Sequence, residues 1–213
     1  MVYRTTPARI EQDQSQREFI LACALDQVAE GGFASLTMGR LARTAGIATG
    51  SLYRHFPGKA ALACELFTRA SQIEVDVLSA QFSGSTSAAR RLRRGLALFA
   101  ARAWHSRQLA FALIAEPVEP EVDAQRLIYR EAYAELFARL LREGVTDGSF
   151  QVDNISVAAA CLVGTVAESL VGPLSPQARA ARASGQPSES LEQVIHALTQ
   201  FCLRAVGAKE SDA

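Results

Sequence analysis

Apolar residues return along this chain at helical intervals, and glycine-rich or polar breaks divide them into segments. From Ser15 to Glu30, Leu21, Ala24, Leu25 and Val28 fall at i, i+3, i+4 and i+7, which predicts one amphipathic helix. Gly31-Gly32 ends it with residues that accept left-handed geometry, and Phe33 and Leu36 follow as apolar plugs. Thr37 to Phe56 then reads as two short helices joined by a tight turn at Ala45-Gly46-Ile47. Leu41, Ala42, Ala45 and Ile47 hold the pair together, and Gly46 stands where the turn needs a positive φ. Thr37 is a good N-cap. A capping box would need Glu or Gln at position 40, where Arg40 stands instead.

Pro57-Gly58 closes the second short helix and opens a long one, whose face carries Leu62, Leu66, Ala70, Ile73 and Val77. Ser83-Gly84-Ser85-Thr86-Ser87 is a break. The next stripe is Leu92, Leu96, Phe99 and Ala103, opposite Arg90, Arg91, Arg93 and Arg94, a basic face expected to be solvated and paired with acids. A short helix from Arg107 to Glu116 stops at Pro117, and a long one from Glu121 to Glu143 carries Tyr129, Tyr133, Leu136 and Leu140. After a turn at Gly144 and Asp147-Gly148, Asp153 is placed to cap a helix with Ile155, Ala159, Leu162, Val166 and Leu170, ended by Gly172-Pro173. Ser175 to about Pro187 reads as a polar loop. The last helix sets Leu191, Val194, Ile195, Leu198, Phe201, Cys202 and Ala205 on a near-heptad seam. No alternating strand pattern and no internal repeat occurs, so the expected fold class is all-α.

Composition adds little until it is read locally. The chain has 213 residues, 49% of them hydrophobic, and a formal net charge of zero. From Gly31 through Cys64, however, it has no Asp or Glu, while Arg40, Arg43, Arg54 and Lys59 are present. An acid-free basic window over two short helices is what a phosphate-facing surface needs, and Thr49, Ser51, Tyr53, Arg54 and His55 suit a major groove and its flanking phosphates. The polar residues 1–14 read as a flexible arm, with Arg4 and Arg9 able to enter a minor groove. Cys23, Cys64, Cys161 and Cys202 lie far apart, without metal-ligand spacing, and are expected to be buried thiols in a reducing cytoplasm. No signal peptide is visible, and no apolar run is expected to reach the roughly 20 residues of a membrane span, so no membrane is expected as a partner.

One motif gathers these features: Thr37-x-x-x-Leu41-Ala42-x-x-Ala45-Gly46-Ile47-Ala48-x-Gly50-x-Leu52-Tyr53-x-His55-Phe56-x-x-Lys59-x-x-Leu62. It resembles the TetR family of bacterial transcriptional regulators over roughly residues 15 to 65, and beyond that only the helical layout matches. The resemblance implies an N-terminal three-helix DNA-binding domain with a helix-turn-helix, followed by a helical ligand-binding and dimerisation domain. The expected division is an arm at 1–14, the reading domain at 15–60 and the regulatory domain at 61–213. It implies a repressor, homodimeric through its last two long helices, that leaves double-stranded operator DNA when a small molecule binds. Carried over by position, Thr37 and Arg43 would touch phosphates, and Thr49, Gly50 and Ser51 would approach base edges. Tyr53 and His55 would bond phosphates or buttress the helix, and Lys59 would meet a phosphate. Arg54 would read guanine or bind backbone. Ala48 and Thr49 depart from the usual Ser or Thr and Lys, which thins the base reading.

Candidates for an effector pocket are Phe99, Trp104, Phe111, Tyr129, Tyr133 and Phe137, with His105 and Glu168 as polar markers, which favours an apolar or aromatic ligand. Ala158, Ala159, Ala160 and Gly164 would allow close helix approach in a dimer. The alternatives are an activator or ligand-independent regulator of the same fold, and a helical enzyme. For the last, His55, His105 and His196 are scattered and lack partnered carboxylates, so no catalytic residue, metal site or cofactor is expected.

Overall fold

Helix formation starts earlier than the apolar periodicity indicates. In the computed structural model, which describes residues 7–208, helix α1 spans Pro7–Gly31. Residues 7–14 are therefore helical rather than a flexible arm; Arg4 lies outside the described residues. Pro7 suits a first helical turn, and Ala8, Arg9, Glu11, Gln12 and Gln14 are good helix formers. Because this end is exposed all round, no apolar face announced it.

A 3-10 turn at Phe33–Ser35 leads into α2 (Met38–Thr44) and α3 (Thr49–His55), the helix-turn-helix. Then come α4 (Lys59–Phe82), α5 (Ala88–His105), α6 (Arg107–Ile114), α7 (Pro120–Asp147), α8 (Ile155–Leu174), α9 (Pro176–Ala183) and α10 (Leu191–Ala205). Every regular element among the described residues is helical, as the all-α expectation required.

Two apolar cores organise them. The first joins Ile20, Ala24 and Val28 of α1 to Phe33, Leu36, Leu41, Leu52, Phe56, Leu62 and Phe67, and it takes in Ala112 of α6 and Val122 and Tyr129 of α7. The second is built by α5, α7, α8 and α10 around Leu92, Leu96, Leu141, Leu162, Leu170 and Leu198. Helix α4 belongs to both. A boundary at 60–61 thus falls at the start of a helix shared by the two cores, not in a linker.

Several local expectations change. Asn154, not Asp153, caps α8: its Oδ1 accepts from Val157 N–H at 3.0 Å. Pro173 sits inside the last turn of α8, which runs on to Leu174. The expected loop contains α9, capped by Ser175 Oγ, which accepts from Ala178 N–H at 3.1 Å. It buries no residue, so its sequence carries no stripe. Of the basic face on α5, Arg91 is buried, donating to Thr86 O at 3.0 Å and pairing with Glu143 at 2.6 Å. Cys23 and Cys202 are buried, the latter pushed up to about 12 by burial, but Cys64 is half-buried and Cys161 is exposed.

Helix α8 also overturns the expectation about membrane-length runs. Its 20 residues contain an 18-residue window of mean hydropathy 1.8, long and apolar enough to cross a membrane by composition. In the fold it packs on α7, α10, α6 and α5 through Ala159, Leu162, Val166 and Leu170. The near-heptad seam of α10 likewise divides: Val194, Leu198 and Cys202 are buried, whereas Phe201 and Ala205 are exposed.

The reading unit is clamped by charge. Arg17 of α1 donates to Glu65 of α4 (Nη1–Oε1 2.6 Å), and Arg69 bridges Glu65 (Nε–Oε1 3.1 Å) to Glu18 (Nη2–Oε1 2.8 Å). Arg17 also lies 4.7 Å from the centre of the Phe56 ring, tying the end of α3 to both helices. The hydrogen bond from Arg17 holds the Glu65 carboxyl below its ordinary 4.5. A depressed carboxyl contributes stability above its ordinary value and loses it as pH falls through the folded value. Glu65→Gln should therefore cost about 1 kcal/mol near neutrality, roughly 2–4 °C in melting temperature for a chain of this size. The gap to wild type should close in melts run progressively below pH 4.5; a gap that persisted in acid would assign the loss to packing.

Candidate functional site

The helix-turn-helix is set by capping and by a short apolar seam. Thr37 Oγ1 accepts from Arg40 N–H at 3.2 Å and starts α2. Gly46 turns the chain with φ 65°, and Ile47 N–H closes the turn on Ala42 O at 3.0 Å. Leu41, Leu52 and Phe56 are fully buried beneath the two helices. The opposite surface exposes Thr37, Arg43, Thr49, Gly50, Tyr53 and Arg54, with Ser51 half-buried; Tyr53 is 51% exposed. Ala48 provides no side-chain cap for α3; its carbonyl oxygen accepts from Ser51 N–H at 2.8 Å.

The cations differ in availability. Arg40 is paired with Glu30 at 2.6 Å, and Lys59 Nζ lies 2.9 Å from Glu119, whose carboxyl it holds below the ordinary range. Neither Arg43 nor Arg54 makes an ion pair with a described residue. His55 turns inward: its side chain is 1% exposed, Nδ1 is 3.9 Å from Asp13 of α1, and Nε2 has no hydrogen-bond partner among the described residues. Of the two roles carried over for it, buttressing is the one its position permits. Asp13, the neighbour it faces, lies in the first turns of α1, which the sequence did not mark as structured.

A second site lies in the regulatory half. A cavity of about 390 Å³ opens between α4, α5, α6, α7 and α8. Five of the eight expected residues line it: Phe99, His105, Tyr129, Tyr133 and Phe137. Trp104 instead packs against arginines outside it, Phe111 lies against the second core, and Glu168 is on the exposed side of α8. Phe67, Ser71, Glu74, Arg102, Arg126 and Arg130 complete the wall. Phe99 and Tyr133 meet edge to face at 5.9 Å, and burial followed by the charge of Glu74 raises the Tyr133 hydroxyl above its ordinary value. Glu74 is held by both arms of Arg102, at 2.8 and 2.6 Å. A wall of rings and aliphatic groups with a few fixed polar side chains suits an apolar molecule.

Cavity and reading unit are joined by a short polar chain. Arg126, in the cavity wall, donates to the carbonyl oxygens of Leu113 (3.0 Å) and Glu116 (2.8 Å), gathering the end of α6. The Glu116 carboxylate then accepts from the backbone N–H groups of Phe33 (3.0 Å) and Ala34 (2.9 Å), just ahead of α2. Gly32 permits this approach: its φ is 73°, and a Cβ there would lie 2.3 Å from Glu116 Oε2. Nothing in the local sequence signalled a contact between positions 83 residues apart.

Residues 20–66 match the family model described as bacterial regulatory proteins, tetR family, and residues 85–171 match the tetracyclin repressor-like C-terminal domain. No curated protein matched the chain. Similar solved structures include the fatty acid degradation regulator FadR of Bacillus halodurans, with 20% identity, TM-score 0.71, and coverage of 88% of this chain and 94% of that one. FadR of Bacillus subtilis in complex with stearoyl-CoA is another, at 17% identity and TM-score 0.69, covering 91% and 99%. A TetR-family regulator of Agrobacterium tumefaciens has 19% identity and TM-score 0.70, covering 91% and 98%. At these identities the likeness is one of fold.

Gly32→Ala and Gly46→Ala separate backbone strain from the Glu116 contact. Both glycines have positive φ, but only position 32 lacks room for a methyl group. Gly46→Ala should cost about 1 kcal/mol from strain alone, and Gly32→Ala about 2–3 kcal/mol. Differential scanning calorimetry reads the difference, and adding Glu116→Ala to Gly32→Ala should recover part of the excess. Equal losses at the two glycines would show that the Glu116 contact is soft.

Proposed function

The chain belongs to the TetR family of DNA-binding transcription regulators, and on that premise we propose that it is a homodimeric repressor released from its operator by an apolar effector. The observation that carries this reading is the shared use of Glu116, held by the cavity wall through Arg126 and holding the backbone that leads into α2. An occupant that shifts α6 or Arg126 moves the reading unit with it.

On the DNA side, Thr37 and Arg43 supply phosphate contacts, while Thr49, Gly50 and Ser51 face base edges. Tyr53 adds a phosphate contact, and Arg54 reads guanine or grips the backbone. Lys59 engages a phosphate by exchanging its bond to Glu119. The effector class follows from the aromatic wall, and the stearoyl-CoA bound by the Bacillus subtilis neighbour is a reasonable first probe. The dimer is supported by the uncovered side of α8, where Val157 is 58% exposed, and by Phe201 of α10 at 60%. Ala159 is buried in the chain's own core and plays no part in that face. A partner of operator DNA would place the protein in the cytoplasm.

Selection from fragmented genomic DNA, followed by binding across a salt series, tests the central claim. Affinity should fall steeply with salt because phosphate contacts release counterions. Arg43→Ala should weaken all sequences alike and reduce the logarithmic salt slope by about 1, whereas Arg54→Ala should cost about 1–3 kcal/mol at one base position. A wild-type protein that selects no DNA sinks the reading. Operator affinity that rises with effector would make the protein an activator-type switch, and sedimentation as a monomer at micromolar concentration would remove the dimer.

A further inference from the structure

Three arginines converge outside the cavity with no acid at ion-pair distance among the described residues, Glu189 acting on Arg182 only from farther off. Arg107 opens α6, and Arg179 and Arg182 lie on α9. The guanidinium carbons of Arg107 and Arg182 are 4.8 and 4.7 Å from the centre of the Trp104 ring. Arg107 Nε, Arg179 Nε and Arg182 Nη1 are all shielded from solvent and have no hydrogen-bond partner among the described residues. Arg182 Nη2 donates to Pro173 O at 2.6 Å, and none of the three makes an ion pair with a described residue. Burial, and then the charge of Arg107, holds Arg182 below the ordinary arginine range; the field of Glu189 opposes this from beyond ion-pair distance.

Such an arrangement is costly as it stands. Guanidinium groups are normally paired when partly buried, and an unpaired donor loses its hydration without return. Like charges around one indole ring add repulsion. Stacking on Trp104 offsets part of this, because an aromatic face attracts cations. The remaining donors form a planar-fork site of the kind that recognises phosphate. The start of α6 adds to it, since Ser106 gives no side-chain cap there and the helix dipole favours an anion.

Position supplies the second half. Trp104 and Arg107 bracket His105 and Ser106, and those two residues line the cavity. The arginine cluster therefore stands at the cavity's edge, on the α5–α6 junction. We propose that Arg107 and Arg182, stacked on Trp104, together with Arg179, whose charge reaches Arg182, bind the phosphate-bearing head of an amphiphilic effector whose apolar part enters the cavity. This rests on the effector-cavity reading above and deepens it. An apolar chain alone gains burial. A phosphate head gains charge-assisted bonds to the solvent-facing nitrogens of these guanidinium groups and offsets their mutual repulsion, and it sits against α6, the helix whose far end is tied to the reading unit.

Trp104 is the chain's one tryptophan, so its emission reports directly on this site. The test uses the full chain with four probes: stearoyl-CoA, coenzyme A, stearate and the neutral dye N-phenyl-1-naphthylamine as a cavity reporter. Stearoyl-CoA should shift Trp104 emission, and R179Q/R182Q should weaken its binding by at least about tenfold while leaving the neutral dye unaffected. Arg182→Lys, which keeps charge but loses the fork, should fall between, and matching thermal melts show that the variants fold. Unchanged stearoyl-CoA affinity in R179Q/R182Q overturns the proposal. So does stearate binding as tightly as stearoyl-CoA with the same arginine dependence, because the head would then be a carboxylate. Loss of the dimer in R179Q/R182Q with binding intact would assign the cluster to an interface and overturn it likewise. If coenzyme A moves Trp104 emission while the dye never enters wild type, the anion site stands and the effector-cavity reading fails.

Discussion

The Glu116 carboxylate is the contact through which the two halves of this molecule are set against each other. It accepts two backbone N–H groups at the start of the 3-10 turn, donors that would otherwise be orphaned. A charged acceptor makes those bonds stronger than neutral ones, and losing it would expose both donors at once. Its main-chain carbonyl is held by Arg126 from the cavity wall. Gly32 follows as a consequence, because no residue with a Cβ fits against the carboxylate. Between cavity and reading helices the path consists of backbone groups and two short-range charged side chains. Little in it can absorb a displacement.

Charge pairing then sorts the cations of the reading unit. The sequence window from Gly31 to Cys64 holds no acid, yet folding brings Glu30 to Arg40 and Glu119 to Lys59 from outside it. Arg43 and Arg54 keep no such partner. Local composition identified a basic surface correctly but overstated how much of it is free. In the proposed complex Lys59 would trade Glu119 for a phosphate, and Glu119 immediately precedes α7, so the trade would be made at the edge of the second half of the chain.

Elements that bury one face were largely legible from the sequence, α5 and the helix-turn-helix most clearly. On α4 the expected stripe placed Ile73 inward where it is exposed, and Leu78 and Phe82 are buried instead; α7 runs through the turn expected at Gly144 to Asp147. The first turns of α1 and all of α9 bury nothing, and they escaped because periodicity records burial rather than helicity. Trp104 was misplaced, and the sequence left the two roles of His55 open, for a related reason. An aromatic or histidine side chain in a helical pattern can face any neighbour, and the neighbours here, Asp13 and Arg182, come from those two unmarked segments. The cavity was half legible. Its rings lie on α5 and α7 at helical spacing, whereas its charged wall, Glu74, Arg102 and Arg126, is assembled from three helices by ion pairs and carbonyl contacts. The Glu116 bridge carries no local pattern at all.

Helix α8 shows how composition and function meet in the proposed dimer. A helix that is apolar all round has to be covered on every side. Only 22% of its apolar window is buried within this chain, along Ala159, Leu162, Val166 and Leu170. Val157, Cys161, Gly164 and Glu168 make a second stripe at i, i+4, i+7 and i+11, exposed and interrupted by one charge. That charge and the packed inner stripe fit a protein interface better than lipid, and a second copy would supply an α8 with the same stripe. In the proposed dimer such a copy would serve the reading unit too. Helix α3 is seven residues long, and Thr49, Ser51 and Arg54 are the side chains proposed to reach bases from it. Few base contacts give limited discrimination from one unit. Two units on one rigid frame add their contacts at a fixed spacing, and the second binds at the high effective concentration that the frame imposes. Uncovered apolar surface in the regulatory half is thus the counterpart of sparse polar contacts in the reading half.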